Sequence, residues 1–247
     1  MGIKNNRTGE VSTTNEEYKI TIINYKNSSN INIIFENGHI VYGIPYKEFK
    51  KGVVKNPYHC SVFNVGYYGV GDYKATYKGK ILKVYNLWKG MLERCYSEKY
   101  QERQHSYIGC TVDECWYNFQ FFAEWFNKNY IEDFHLDKDI LVKGNKIYSP
   151  ETCCFIPQEV NNLFTKTNSN RGEYPIGVCK EDKLYKSNIL INKKTINLGR
   201  YSTPEEAFQA YKVAKEIRIK EVAEKWKDKI AEKVYQAMYD YKVEITD

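Results

Sequence analysis

No run of apolar residues in this chain approaches the roughly 20 needed to span a bilayer, so a transmembrane helix is not expected. The opening MGIKNNRTGEVSTTNEEYK has no apolar core of the kind a signal peptide carries. Its Met1-Gly2 pair is followed by no Ser or Thr where a myristoylation signal requires one. The reading is a soluble, cytoplasmic protein with no membrane partner. Cysteines number seven, an odd count in a chain of this size, and a disulfide framework is not expected. Paired CxxC knuckles are missing as well: Cys110 and Cys115 stand five apart and Cys153 and Cys154 are adjacent. A structural zinc would need four tetrahedral ligands, so zinc is not expected and free thiols are. There is no internal repeat and no low-complexity tract.

What is present is aromatic and mildly basic. The 247 residues suggest two or three small domains. Aromatic residues make up 15%, and 23 of them are Tyr, which buries a ring while keeping a polar tip and so suits wet interfaces and β-rich cores alike. A net charge of +6 is compatible with a polyanionic partner without requiring one.

The fold class expected is α+β. Residues 1–55 read as a small β module. YKITIINY alternates, with Ile20 and Ile22 on one face and Thr21 and Ile23 on the other. INIIF and ENGHIVYG follow, the latter carrying an Asn-Gly pair suited to a tight hairpin. YKEFKKG would close a small barrel. Residues 56–84, rich in Gly and Tyr with no clean period, read as a connector: a flexible linker, or a loop touching phosphates. The period then becomes helical. Trp88, Met91, Leu92 and Cys95 share one face, as do Phe119, Phe122, Ala123 and Phe126, and both stripes are read as core.

Residues 166–173 are a polar linker in which Lys166 and Arg171 are positioned to follow a phosphate backbone. Residues 174–247 read as three strands and a helix. Thr203-Pro204-Glu205-Glu206 is a capping box with Pro at the first helical position. Ala207, Ala210, Tyr211 and Ala214 would let that helix lie close on a sheet, and Val222, Trp226, Ile230 and Val234 continue the helix on a four-residue step.

The chemistry-bearing stretch is HLDKDILVKGNKIYSPETCCFIPQEVNN, residues 135–162. A compact nuclease needs a divalent ion, a base and a scaffold holding both at one phosphate. Mg²⁺ (or Mn²⁺) takes oxygen ligands and keeps several waters, so one carboxylate and one amide oxygen can suffice. Asp137 on a strand and Asn161 at the head of a helix would supply them. Gly144-Asn145 would make the turn between strands, and Phe155 would pack beneath the helix.

This pattern resembles the HNH (ββα-metal) core of phage-borne homing endonucleases. WKGMLERCY, YIGCTVDECWYNFQFFAEWF and LDKDI resemble the lead-in of a phage HNH-like subfamily, so residues 85–165 would form that core with its lead-in helices. PIGVCKEDKLYKSNILINKKTINLGRYSTPEEAFQAY resembles an AP2 DNA-binding domain, with Gly-Val, Leu-Gly and Thr-Pro-Glu-Glu-Ala in order. The resemblance implies Asp137 as strand carboxylate and Asn161 as helix metal ligand, with Asn162 competing. The family's general-base His is replaced by Lys138. A Lys would serve as a base only with its pKa lowered by several units. His135, two residues before Asp137 and on the same strand face, is the candidate substitute base, or else a surface histidine; Lys138 is otherwise a phosphate contact. Asp139 is a second ligand or a solvated strand-end charge.

The AP2-like part implies a sheet laid into the major groove, with base- and phosphate-facing positions near Cys179, Glu181, Lys186, Asn188, Thr195 and Asn197. Lys180 and Arg200 join them, and Lys193-Lys194 would meet phosphates at a turn. Asn can pair bidentately with adenine, while Lys mostly positions the backbone. Three functions follow as expectations. The first is a double-stranded DNA-binding protein of the HNH–AP2 type with weak Mg²⁺-dependent nicking. The second is a catalytically inactive derivative that blocks or regulates a DNA site. The third is a protein inhibitor of a host nucleic-acid enzyme.

Overall fold

The computed structural model describes residues 6–164 and 173–245. The chain is a mixed α+β protein that divides into two compact units. One comprises residues 1–108 and 112–126, the other residues 109–111 and 127–247. The first unit therefore takes most of the helical lead-in, and the second takes residues 135–162 together with the C-terminal sheet. The expected linker with Lys166 and Arg171, and the Met1-Gly2 pair, lie outside the described residues. No described helix is long and apolar enough to cross a membrane.

The first unit opens with an antiparallel meander, β1 (Val11–Thr13), β2 (Lys19–Asn27), β3 (Asn30–Phe35) and β4 (Ile40–Ile44), in that spatial order. The alternation read from the sequence sets its faces. Ile20, Ile22, Ile31, Ile33 and Phe35 are buried, while Ile23 is exposed. Each such side chain contributes about 1.5–3 kcal/mol by leaving water. The segment expected to close a barrel is instead a helix, α1 (Tyr46–Lys51). Pro45 ends the strand at its N-cap, Glu48 sits in its first turn, Lys50 and Lys51 in its last, and Gly52 closes it at φ 65°. These match the helix dipole and a left-handed C-cap, and the turn buries Phe49 against the sheet.

Residues 56–84 are not a flexible linker. They carry a short hairpin, β5 (Thr76–Tyr77) and β6 (Lys80–Ile81), and are tied down by side chains from far along the chain. The buried Gln120 carboxamide accepts from Tyr73 N at 3.0 Å and donates to Tyr73 O at 3.1 Å and Tyr68 O at 3.2 Å. Gly71 is obligatory at this clamp, since a Cβ there would lie 2.4 Å from Gln120 Oε1. Helices α2 (Lys83–Tyr96), α3 (Glu98–Gln101) and, beyond the short strand β7 (Thr111–Val112), α4 (Phe119–Asn129) follow. The apolar stripes of α2 and α4 are buried as read from their spacing. The Trp88 indole N–H, which would be costly to bury unpaired, donates to Trp116 O at 2.7 Å.

In the second unit β8 (Phe134–Asp137) pairs antiparallel with β10 (Cys154–Pro157), with β9 (Ile147–Tyr148) on the excursion between them. Helix α5 (Gln158–Phe164) leaves β10 directly. A second sheet has the order β11 (Val178–Glu181), β12 (Leu184–Ile191), β13 (Lys194–Tyr201), all antiparallel, with a bulge opposite Ser187 and Asn188 that places Leu198 as the extra residue. Helix α6 (Pro204–Trp226) lies on this sheet. Both halves of its capping box form: Glu206 N donates to Thr203 Oγ1, and Thr203 N to Glu206 Oε2.

The helix does not run on through Val234. It stops at Trp226, and α7 (Glu232–Tyr239) starts after an extended Ala231. Lys229 N and Ile230 N both donate to Trp226 O, which turns the chain so that Ile230, Val234 and Met238 return to the core that α6 borders. The four-residue apolar step thus belongs to two helices folded on one core.

The Tyr211 ring lies against Gly177, where a Cβ would come within 2.1 Å of Tyr211 Cδ2, at φ +77°. Gly177→Ala should therefore destabilise the protein by about 1–3 kcal/mol through overpacking and strain. Gly90, mid-helix in α2 with nothing within 4 Å of a built Cβ, should behave oppositely. Gly90→Ala should gain about 0.5–1 kcal/mol from helix propensity. Urea denaturation midpoints of the two variants check both signs.

Candidate functional site

Two places hold the residues singled out from the sequence: the corner between β8 and α5, and the outer face of the three-stranded sheet. At the corner, Asp137 ends β8 opposite Cys154. Its Oδ1 accepts from Asp139 N at 2.9 Å and Ile140 N at 2.8 Å, so the carboxylate stops the strand and shapes the turn. Burial is the largest influence on this carboxyl and raises its pKa; the Ile140 N–H opposes that, and nearby Asp139 reinforces it. The adjacent thiols share the environment. Burial pushes Cys153 up to about 12 and Cys154 higher still, so both are inert at neutral pH.

Lys138 is buried at 6% exposure, which is rare for an unpaired lysine and calls for partners. It has them. Nζ donates to Asp139 Oδ1 and to Asn145 O, both at 2.7 Å, and lies 5.7 Å from the centre of the Tyr148 ring. The Asn145 side chain completes the lock, donating to Lys138 O and Ile147 O and accepting from Ile147 N. With Nζ buried and turned into the loop toward a carboxylate and a carbonyl, Lys138 is not presented to a phosphate or to a bound water. The sequence reading gave Asn145 only a turn; its carboxamide in fact bridges the two ends of that turn.

His135 is exposed on β8 and makes no side-chain hydrogen bond among the described residues. A general base is normally oriented by such a bond. Asn161 is half-buried on α5 and engaged with its neighbours, while the exposed Asn162 accepts from Gln158 Nε2 at 2.7 Å. No three His, Cys, Asp or Glu side chains converge on a metal-sized point among the described residues. One Asp137 oxygen carries two amide hydrogens, and the Lys138 ammonium is locked into the same loop. The corner suits an ion-pair-locked turn.

Glu159, which the sequence reading passed over, joins this corner to α6. It accepts from Trp226 Nε1 at 2.9 Å, pairs with the Lys225 ammonium and lies 3.4 Å from Arg218. The Lys225 hydrogen bond is the main influence holding its carboxyl below the usual range. Only a partner 66 residues away reveals this role, so nothing local in the sequence signals it.

The sheet brings the other set together. Alternation places Ser187 and Ile189 inward, where both are buried, and Lys186, Asn188 and Leu190 outward. Cross-strand register then builds the outer face in rows: Cys179, Lys186 and Arg200; Asn188 and Asn197; Leu190 and Thr195. Lys180, alternating with Cys179 and Glu181, belongs to the opposite side and is not part of these rows. Lys193 and Lys194 stand at the exposed β12–β13 hairpin, whose Asn192 and Lys193 have φ 51° and 64°, the left-handed pair of a two-residue hairpin turn. Glu181 sits among the cations, with Oε2 2.6 Å from Arg200 Nε and Oε1 3.8 Å from Lys186 Nζ. The Arg200 contact is close but not aligned as a hydrogen bond. Asn188 Nδ2 lies 3.5 Å from Cys179 Sγ, and its Oδ1 has no hydrogen-bond partner among the described residues.

No protein-family model, no curated protein and no solved structure matches the chain.

Two measurements separate a turn anchor from a metal ligand at Asp137. Asp137→Ala leaves two N–H groups without their acceptor and should cost about 1–3 kcal/mol. Asp137→Asn keeps the acceptor and removes a buried charge, so its denaturation midpoint should match or exceed wild type near pH 7. At Glu159 the pH sign is set by a depressed folded pKa. Its stabilisation is present above the unfolded-state value and is lost as pH falls through the folded one. Glu159→Gln should cost about 1–2 kcal/mol near neutrality, and urea midpoints taken at successively lower pH should show the gap to wild type closing.

Proposed function

We propose that the chain is a double-stranded DNA-binding protein that acts by binding rather than by cleaving, with the outer face of the β11–β13 sheet laid in the major groove. One observation carries the reading. Lys186, Asn188, Thr195, Asn197 and Arg200, scattered over 15 positions of sequence, fall on one side of one sheet, with Lys193 and Lys194 at its hairpin tip. The division of labour follows from chemistry. Lys and Arg neutralise phosphates and set register, while carboxamides read base edges. The resemblance of residues 175–211 to AP2 domains supports the same docking, and that of residues 85–165 to the HNH core supports the setting of a mobile-element nuclease. Binding without cleavage is supported by Lys138, whose ammonium is committed to Asp139 and Asn145 where the resembling enzymes place their base.

Glu181 tunes this surface. Before Arg200 contacts a phosphate it must leave a carboxylate 2.6 Å away, so part of the electrostatic gain is offset. That favours modest affinity and a groove-reading contribution from the carboxylate itself, since Glu accepts from the cytosine amino group.

Fluorescence anisotropy with labelled duplexes tests the reading. Asn188→Ala and Asn197→Ala should each cost about 1–3 kcal/mol on a preferred sequence and much less on a random one. Lys193→Ala and Lys194→Ala should weaken both alike and lower the salt slope by roughly 1 each. Supercoiled plasmid incubated with Mg²⁺ or Mn²⁺ should stay intact. Nicking abolished by Asp137→Ala would overturn the non-cleaving part, and a salt slope near zero would overturn DNA binding altogether.

A further inference from the structure

The β5–β6 hairpin of the first unit is built unlike the rest of its surface. Its two strands pair only Thr76 with Ile81 and Tyr77 with Lys80, joined by Lys78-Gly79 with both residues at positive φ. Every residue of 76–81 is exposed, Tyr77 at 61% and Ile81 at 57%. The hairpin thus buries almost nothing of its own, and a two-stranded ribbon that does so is marginal in water.

Its base is nevertheless rigidly held. The buried Gln120 grips Tyr73 through both its N–H and its carbonyl, Tyr68 Oη donates to Tyr73 O at 2.7 Å, and Leu82 N closes the stem on Ala75 O at 2.8 Å. Ordering a segment costs conformational entropy that nothing in the hairpin's own packing repays.

The hairpin also concentrates cations in a short span, whereas Lys50 and Lys55 of the same unit are paired with Glu10 and Glu16. Among the described residues, none of Lys74, Lys78 and Lys80 meets a carboxylate, and Lys78 instead lies 5.4 Å from the Tyr77 ring centre. Asp72 is the only acid between residues 72 and 83. A two-stranded ribbon is of a size that a DNA major groove admits. One exposed Tyr and one exposed Ile are too little apolar surface to insert in a lipid layer, but suffice to lie against sugars and bases.

We propose that this hairpin is a second DNA contact, a cationic arm that takes duplex phosphates without reading sequence. It rests on the DNA-binding reading above and adds to it a non-specific site in the first unit. Its consequence is a division of roles: the sheet face sets sequence preference and the arm contributes most to salt-dependent affinity.

The test uses the full chain, a labelled random-sequence duplex and salt from about 50 to about 200 mM. The triple variant Lys74→Ala, Lys78→Ala, Lys80→Ala should lower the log–log salt slope by roughly 2–3 and weaken binding about tenfold or more, leaving the ratio between preferred and random sequences unchanged. A companion triple variant with Arg at the same positions should keep the wild-type slope, which guards against a folding defect in the Ala variant. Wild-type binding with an unchanged slope in the Ala variant would overturn the arm and leave the sheet reading standing. No duplex binding by the wild-type chain would overturn both. Vesicles containing phosphatidylserine form a further arm: capture that depends on the three lysines, alongside an unchanged DNA slope, would reassign the hairpin to lipid and overturn the proposal.

Discussion

Helix α6 has to satisfy two apolar surfaces at once, and the second unit is arranged around that constraint. One stretch of it, through Ala207, Phe208 and Tyr211, covers the inner face of the three-stranded sheet; another, through Ile219, Val222 and Ala223, meets the core contributed by β10 and α5. The ring of Tyr211 reaches Gly177 only because that residue has no side chain. At the far end Glu159 fixes α5 to Lys225 and Trp226. Outward-facing residues of the sheet owe their exposure to this arrangement. With the inner face sealed by a helix, whatever alternates away from it is presented to solvent.

At the corner between β8 and α5, Lys138 next to Asp137 is a buried positive charge. Burying an ammonium is costly unless it is paired and hydrogen-bonded. The loop supplies Asp139, the Asn145 carbonyl and the Tyr148 ring to meet that cost. Groups that would otherwise be available to a water or a cation are drawn into holding the turn.

Elements that depend on local period or local capping were legible in the sequence. The alternation of β2 and β3, the stripes of α2 and α4 and the capping box at Thr203 are each encoded within a few residues, and each forms. The outward set on the C-terminal sheet came from the resemblance to AP2 domains; alternation alone sends Lys180 to the other side and would send Arg200 there too, but for the bulge. What escaped was decided at long range. Residues 56–84 look unstructured because their order comes from Gln120, some 47 positions beyond Tyr73. The break after Trp226 has no Gly or Pro to announce it. Tyr46–Lys51, expected to close a barrel, is a short helix that Pro45 begins and Gly52 ends, and its six residues are too few to show a helical period.

The bulge at Leu198 has a consequence for which side chains can act together. Thr195 and Asn197 occupy odd positions and Arg200 an even one, yet all three share the outer face, because the extra residue switches the parity of β13 midway. In a regular strand the guanidinium would be turned beneath the sheet, or else the two polar side chains would be. The surface therefore depends on one supernumerary backbone unit: were the bulge ironed out with the sequence unchanged, the one-residue slip would send Arg200 to the side opposite Thr195 and Asn197.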